Sequence, residues 1–385
     1  MKRPNLLATV LGFVAVVILP AGLAAGGSFR YPEGKHGKGE LRYLNDLPVL
    51  VVDGTPEEMG EQLGVLGTRS ALELQHFFKQ LVKEQGLEAA FPLLLKVGKS
   101  MEARFPPDHL KELESAVKAS GVGAEMRDLV ITGNVFWDIK GVGGCSALMV
   151  EPSRSAAGGP LFGRNFDMPT FGVLDKFTLV TVYRPTGKHA FASVGFPGLV
   201  GVVSGINDSG LALACLDVRE TSDGSPRFNA LGTPYPLLFR RVLEECGDIA
   251  EAEKLLRDAQ RTTLLNLAVS DKNRSVVFEM TPKTFNVRPA VDGICTCTNH
   301  FRTSNLSTGV QCKRWDVLQK SWQAPTLTFK DVARQLDAVN QGPLTVQTMI
   351  FEPGALKLYL AIGVCPTSAL PLKELDLGPL FRGSK

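Results

Sequence analysis

The 385-residue chain changes texture at one point, and that change limits its fold more than any other feature. From about residue 55 to 121 the apolar residues recur at helical spacing. After Cys145 they fall into short apolar or alternating runs: Leu179 to Tyr183, Val200 to Ile206, Leu211 to Leu216, Leu267 to Val269, Val276 to Met280 and Leu356 to Ala361. Asn207-Asp208-Ser209-Gly210 lies between two of these runs as a hairpin turn. Strands in runs, with helices grouped between them, predict an α+β layered domain and not a regular βαβ array. No Gly-x-Gly-x-x-Gly follows a strand, so a dinucleotide-binding fold has no support.

The helices announce their own ends. Thr55-Pro56-Glu57-Glu58 reads as a start, with Thr55 as cap, Pro56 in the first turn and Glu58 closing a capping box. A second helical stretch begins near Asp108, carries Leu110, Leu113 and Val117, and runs out at Gly121. Two more capped helices follow Asp248 and Thr328, inside the strand-rich part. No repeat and no low-complexity linker divides the chain. A net charge of +3 is spread along it without a basic block, which argues against nucleic-acid binding.

The N-terminus has a different character. Lys2 and Arg3 precede an uncharged apolar run, Leu6 to Leu19, which Pro20 closes before the small-residue stretch Ala21 to Gly27. A basic start, a short apolar stretch and a small-residue exit are the pattern of a secretory signal over residues 1–26, and so predict a secreted or periplasmic protein. The alternative is an uncleaved anchor, which would associate the chain with a membrane; the run reaches the roughly 20 residues a spanning helix needs only by counting past Pro20. Export permits disulfides. With Cys145 set aside, Cys215, Cys246, Cys295, Cys297, Cys312 and Cys365 read as core or disulfide residues, and sequence does not choose a pairing. A lone Cys-x-Cys at 295–297 is a weak zinc signal, so neither metal nor cofactor is implied.

Gly141-Val142-Gly143-Gly144-Cys145-Ser146 is the most informative stretch. Glycines before Cys145 let the backbone reach conformations closed to bulkier residues. Self-cleavage requires such freedom, because the thiol must reach back to the carbonyl of Gly144. An acyl shift from nitrogen to sulfur, then hydrolysis, would leave Cys145 with a free α-amine of ordinary pKa near 8, able to act as a general base. Nucleophile and base would then share one residue. The plain alternative is a turn with a small buried thiol. Gly163-Arg164-Asn165-Phe166-Asp167 adds a guanidinium, which favours a thiolate, and a carboxylate, which can hold an ammonium. Three residues apart on a strand they face opposite sides, so a bend is expected if both serve one site.

At this point the chain resembles a known family. Gly144-Cys145-Ser146, Gly163-Arg164-Asn165-x-Asp167, Gly205-Ile206-Asn207-x-x-Gly210-Leu211 and Thr298-Asn299-His300-Phe301 stand in the order seen in the penicillin acyltransferase-like cysteine family. That family is grouped with acid ceramidase, N-acylethanolamine amidase and choloylglycine hydrolase among the N-terminal-nucleophile hydrolases. Gly54 to Gly60 and Pro353-Gly354-x-Leu356 are similar too, so the resemblance runs from about residue 50 to 368. It implies a four-layer αββα sandwich with two stacked antiparallel sheets, cut between Gly144 and Cys145. Residues 27–144, a helical segment, and 145–385, the nucleophile domain, would form one compact catalytic unit. The resemblance makes Cys145 nucleophile and base, lets Arg164 and Asp167 orient substrate and amine, and gives Asn207 and Asn299 the oxyanion. One oxyanion donor is worth about 100- to 1,000-fold in rate. Arg314 would complete the charged shell, with Lys313 and Arg302 as competitors for that place. Ser146 stands where the family often has threonine.

The function implied is acyl transfer from a linear, non-peptide amide through a thioester on Cys145, to water or to an amine. The partner is a small N-acyl compound, lipid-like ones included. Two alternatives remain open: a conventional Cys–His thiol hydrolase using His300, and a non-catalytic exported binding protein on the same scaffold.

Overall fold

A computed structural model describes residues 29–84, 88, 91–139, 143–170 and 172–383. The signal-like segment and Gly141-Val142 of the glycine approach lie outside the described residues. Sixteen strands and nine α-helices are described. Before Cys145 come β1 (Gly34–His36), β2 (Gly39–Leu44), β3 (Leu47–Gly54), α1 (Pro56–Glu84), α2 (Phe91–Met101), α3 (Pro107–Ser120) and α4 (Ala124–Ile139). The strand-rich part opens with β4 (Gly144–Val150), β5 (Leu161–Asp167), β6 (Leu179–Pro185), β7 (Phe191–Gly195), β8 (Ser204–Asn207) and β9 (Ala212–Asp217). Then come α5 (Tyr235–Glu245), α6 (Ile249–Asp258), β10 (Leu265–Ser270), β11 (Ser275–Met280), β12 (Phe285–Pro289), β13 (Ile294–Cys297), α7 (Lys313–Gln319) and α8 (Phe329–Ala338). The chain closes with β14 (Thr345–Glu352), β15 (Lys357–Ile362), β16 (Lys373–Asp376) and α9 (Leu377–Arg382).

The local signals hold where they were read. Thr55 and Glu58 form the capping box of α1, with Thr55 N–H donating to the Glu58 carboxylate at 2.7 Å. Gly121 ends α3 in the left-handed conformation at φ 69°. Asp248 caps α6 through the amides of Ala250 and Glu251, and Thr328 caps α8 in a full capping box with Asp331. Pro353 and Gly354 make the tight turn between β14 and β15.

Ten strands form one sheet in the order β1-β2-β3-β6-β7-β8-β9-β10-β11-β12, and six form the other, β13-β4-β5-β14-β15-β16. The alternation along β4 shows how they stack. Cys145, Ala147 and Met149 enter the core shared by the two sheets, whereas Leu148 and Val150 face α7 and α8 on the outside. Gly163 on β5 lets α8 come close, since a Cβ there would lie 2.6 Å from Val332. Helices α1, α5 and α6 cover the outer face of the ten-stranded sheet. The architecture is the four-layer αββα sandwich expected.

Three readings are corrected. The segment before Cys145 is not only helical: it supplies β1, β2 and β3, and β3 lies inside the large sheet between β2 and β6. The pairing of β3 with β6 is parallel, unlike every other strand pair described. The whole helical segment and β4–β5 separate these two strands, which gives the chain the length a parallel crossover needs. Finally, of the two alternatives for the six non-nucleophile cysteines the disulfide one falls and the core one holds: all are free thiols, buried except for the half-buried Cys365. Among the described residues no helix is long and apolar enough to cross a membrane.

A buried charge cluster ties the two sides of Cys145 together. Arg240 of α5 grips Glu112 of α3 with two hydrogen bonds of 2.7 and 2.6 Å and Glu244 with a third of 2.7 Å. Glu244 also meets His109 of α3 at 3.1 Å and Lys188 at 2.9 Å, and Lys188 reaches Asp108. Burial, with Arg240 close by, pushes His109 below its ordinary value against the pull of Glu244 and Glu112. A histidine depressed in the folded state binds its proton first in the unfolded chain, so stability is lost as pH falls below about 6.5. The melting temperature should therefore drop between about pH 7 and 5, and His109→Gln should flatten the upper part of that slope. Equal slopes in both proteins would locate the acid sensitivity elsewhere.

Candidate active site

Cys145 is the second residue of β4, and the β4–β5 register decides its neighbours. It stands opposite Phe166, with Ala147 opposite Arg164 and Gly144 opposite Asp167. Cross-strand partners and their diagonals share a face, so Arg164 projects beside the thiol between the sheets. Its Nη2 donates to Sγ at 3.3 Å and to the Cys215 carbonyl of β9 at 2.9 Å. Nη1 donates to the Val203 carbonyl at 2.6 Å and to the Ser204 hydroxyl of β8. Arg164 has no exposed surface and lies 4.9 Å over the Phe166 ring.

The backbone of Cys145 is held from the other side. Its N–H donates to Asn299 Oδ1 at 2.8 Å. Its carbonyl accepts from Arg314 Nη1, which also bonds the Ser146 hydroxyl at 2.9 Å, while Nη2 reaches Asn299 Oδ1 at 2.9 Å. Asn299 Nδ2 donates to the Asp217 carbonyl at the end of β9. The competitors of Arg314 are elsewhere: Lys313 is exposed, and Arg302 stacks on Trp315 and donates to the Val310 carbonyl.

Asp167 needs no bend to share this site. As the partner of Gly144 it flanks the bond before Cys145, and the first stretch of β14 beside it is irregular between Thr345 and Gln347. Its Oδ1 accepts from the Thr345 hydroxyl and its Oδ2 from Gln341 Nε2, both at 2.6 Å. Arg314 approaches to 3.9 Å. Burial pushes the Asp167 carboxyl up, and Thr345, Gln341, Arg314 and Arg164 oppose it. Burial likewise raises the Cys145 thiol; Arg164 pulls it down, while Asp167 and Asp217 add to the rise. A thiol raised in this way needs a base to take its proton.

That base is not His300. The imidazole serves Cys312 instead: against the upward push of burial, His300, the Trp315 amide, Thr298 and Arg314 bring the Cys312 thiol down to about 6. The side chain described at the Cys145 sulfur is Arg164, at 3.3 Å. Asn207 is also absent from the site. Its Nδ2 donates to the carbonyls of Leu243 and Cys246 at 3.0 and 2.7 Å, and its Oδ1 accepts the amides of Ser209 and Leu211. With both N–H groups committed to the end of α5, Asn207 has none left for an oxyanion and holds a turn in place.

The structure thus brings together Cys145, Arg164, Asp167, Asn299 and Arg314 and leaves Asn207 out. It adds Ser204 and the Cys215 carbonyl around Arg164, the Asp217 carbonyl behind Asn299, and Gln341 and Thr345 around Asp167. None of these added residues stood inside a motif; Gln341 and Thr345 are more than 170 positions from Asp167 and carried no signal. Phe166 also packs with Trp137 and Phe196, at 5.9 and 6.1 Å between ring centres, into an apolar wall beside Cys145.

A model of the family described as acyl-coenzyme A:6-aminopenicillanic acid acyl-transferase matches residues 154–348, just over half of the chain. The chain belongs to that family. An uncharacterized protein of Archaeoglobus fulgidus is 26% identical in an alignment of 283 residues that covers 64% of this chain and 46% of that protein. The chain therefore spans about half the length of this curated relative. Among solved structures, an N-acylethanolamine-hydrolyzing acid amidase ortholog of Caenorhabditis elegans is 19% identical with a TM-score of 0.45, covering 55% of this chain and 93% of its own. A variant of conjugated bile acid hydrolase from Clostridium perfringens is 16% identical, TM-score 0.46, with 61% and 94% covered. Penicillin V acylase of Agrobacterium tumefaciens is 11% identical, TM-score 0.38, with 62% and 93% covered.

The two thiols can be told apart by labelling. His300→Ala should move the alkylation profile of Cys312 upward from about 6 and leave that of Cys145 unchanged, read by peptide mass mapping after iodoacetamide at several pH values. Loss of Cys145 labelling in that variant would restore the Cys–His alternative.

Proposed function

We propose that this chain is a self-processing cysteine amidohydrolase or acyltransferase that acts on a non-peptide linear amide. The observation that carries the reading is the clamp on Cys145. One arginine holds its sulfur, another its carbonyl, and an asparagine its nitrogen. Such an arrangement orients a nucleophile whose base must be supplied by the residue itself.

In the first reaction Cys145 Sγ attacks the Gly144 carbonyl carbon. The peptide C–N bond breaks, the acyl group passes to sulfur, and the nitrogen takes a proton to become an amine. Water then hydrolyses the thioester, leaving Gly144 as a carboxylate. In turnover the α-amine removes the thiol proton, the thiolate attacks the substrate acyl carbon, and the resulting ammonium returns the proton to the leaving amine. Water or a second amine releases the acyl group. Arg164 favours the thiolate, and Asp167, facing the former Gly144 position, holds the ammonium. The remaining N–H of Asn299 Nδ2 is the oxyanion donor. The family membership supports acyl chemistry; the Asn299 contact at the scissile nitrogen supports cleavage there.

Purified protein should separate under denaturing conditions into two fragments, the second beginning with Cys145, while Cys145→Ala stays whole. An intact wild type that turns over an amide would refute self-processing. Export belongs to the same proposal, motivated by Lys2, Arg3 and the apolar run that follows. Sequencing of the exported protein should show the first ~26 residues removed; recovery of Met1 in a membrane fraction would make the segment an anchor.

A further inference from the structure

Gln341 stands outside every motif, in the loop between α8 and β14, yet it touches both the site's carboxylate and the residue to be cut. Its backbone N–H donates to the Thr345 hydroxyl at 2.8 Å, and that hydroxyl donates to Asp167 Oδ1 at 2.6 Å. Its side-chain Nε2 donates to Asp167 Oδ2 at 2.6 Å. The four groups close a ring, so both carboxylate oxygens are bound by one short segment. The Gln341 amide cannot swing aside without releasing a buried carboxylate, and hydrogen bonds to charged groups are the stronger ones.

The same amide lies against Gly144. A Cβ built on Gly144 would fall on the Gln341 carboxamide, with Cδ at 2.9 Å and Oε1 at 3.0 Å. Atoms that close leave no room for a side chain, and the ring that pins the amide prevents it from yielding. Gly144 is therefore glycine for a reason beyond backbone freedom.

The consequence reaches the substrate, on the reading that Cys145 carries acyl groups as thioesters. The first acyl group to reach its sulfur is Gly144 itself, whose Cα is the α-carbon of that thioester. A substrate acyl group joined to the same sulfur brings its own α-carbon to the same neighbourhood. We infer that Gln341 sets acyl specificity, admitting an unbranched CH₂ next to the carbonyl and rejecting α-branched and α-amino acyl groups. Gln341 is a positioning residue towards Asp167 and a wall towards the acyl chain.

The test pairs two readouts on the full chain. The first is the ratio of kcat/KM for hexanoyl over 2-methylhexanoyl anilide. Wild type should favour the unbranched acyl by at least ~10-fold, the scale on which a close-fitting pocket rejects one added carbon. Gln341→Ala should bring that ratio down towards one, even where turnover of both falls because Asp167 has lost a partner. Gln341→Asn, with the amide withdrawn by one methylene, should lower the ratio as well and gives a second protein should the first fail to fold. The second readout is processing by intact mass: Gly144→Ala should remain uncut, and Gly144→Ala with Gln341→Ala should be cut. A purely structural Gln341 would change yield and melting but neither the ratio nor the rescue. Wild type that is cut and active, with the ratio unchanged in a folded Gln341 variant and no rescue, overturns this inference alone. Wild type that is neither cut nor active overturns it together with the proposed function.

Discussion

A fully buried guanidinium joins the two sheets at the point where the chemistry is placed. Arg164 reaches from β5 across the shared core to the Val203 and Cys215 carbonyls and the Ser204 hydroxyl of the large sheet, and to the thiol of Cys145 on its own sheet. A charge in such a place is tolerated only if its donors are used. Four partners take the donors of Nη1 and Nη2, while Nε is buried with no hydrogen-bond partner, and three of the four partners belong to the opposite sheet or the approach to it. The stacking of the sheets and the position of the nucleophile are thus one requirement, because the sheets cannot slide without stranding the arginine.

The proposed cut would fall within β4, after its first residue, yet the two fragments would have no boundary between them. β3 fills a place inside the large sheet, hydrogen-bonded on one side to β6 beyond the cut. Arg240, Glu112, Glu244 and His109 add a buried charge cluster across the same division. Breaking a buried pair leaves an uncompensated charge, which is far more costly than the pair is worth. A cleaved chain held in this way stays assembled, and cleavage can free the Cys145 amine without unfolding the site that uses it.

Much of the fold was legible because its signals are local. The capping boxes at Thr55 and Thr328, the glycine end of α3 and the turn after Asn207 each depend on residues within four positions, and each formed as read. Strand textures were right in kind and loose at their ends: Val200 to Val203 is loop, and β8 begins at Ser204. Less was visible before residue 55, where β1 and β2 pair with near neighbours but β3 takes its second partner, β6, from far along the chain. Helix α5 carries no capping side chain and begins behind Pro234, so it lacked the start signal that α6 and α8 displayed.

For the site, the sequence by itself determined which residue types could do chemistry near Cys145: a glycine approach, a thiol, an arginine and a carboxylate on the next strand, and an asparagine before His300. Those identities are properties of the chain; their strand pairing was not read, and the bend expected at Asp167 was not needed. Only the tertiary structure decided which side chains meet. It turned Asn207 to the carbonyls of α5, gave His300 to Cys312, chose Arg314 over Lys313 and Arg302, and set Gln341 and Thr345 on Asp167. The reason is that a side-chain amide, imidazole or guanidinium bonds whatever strand register and helix packing bring within about 3 Å, and that distance is settled between segments far apart in sequence.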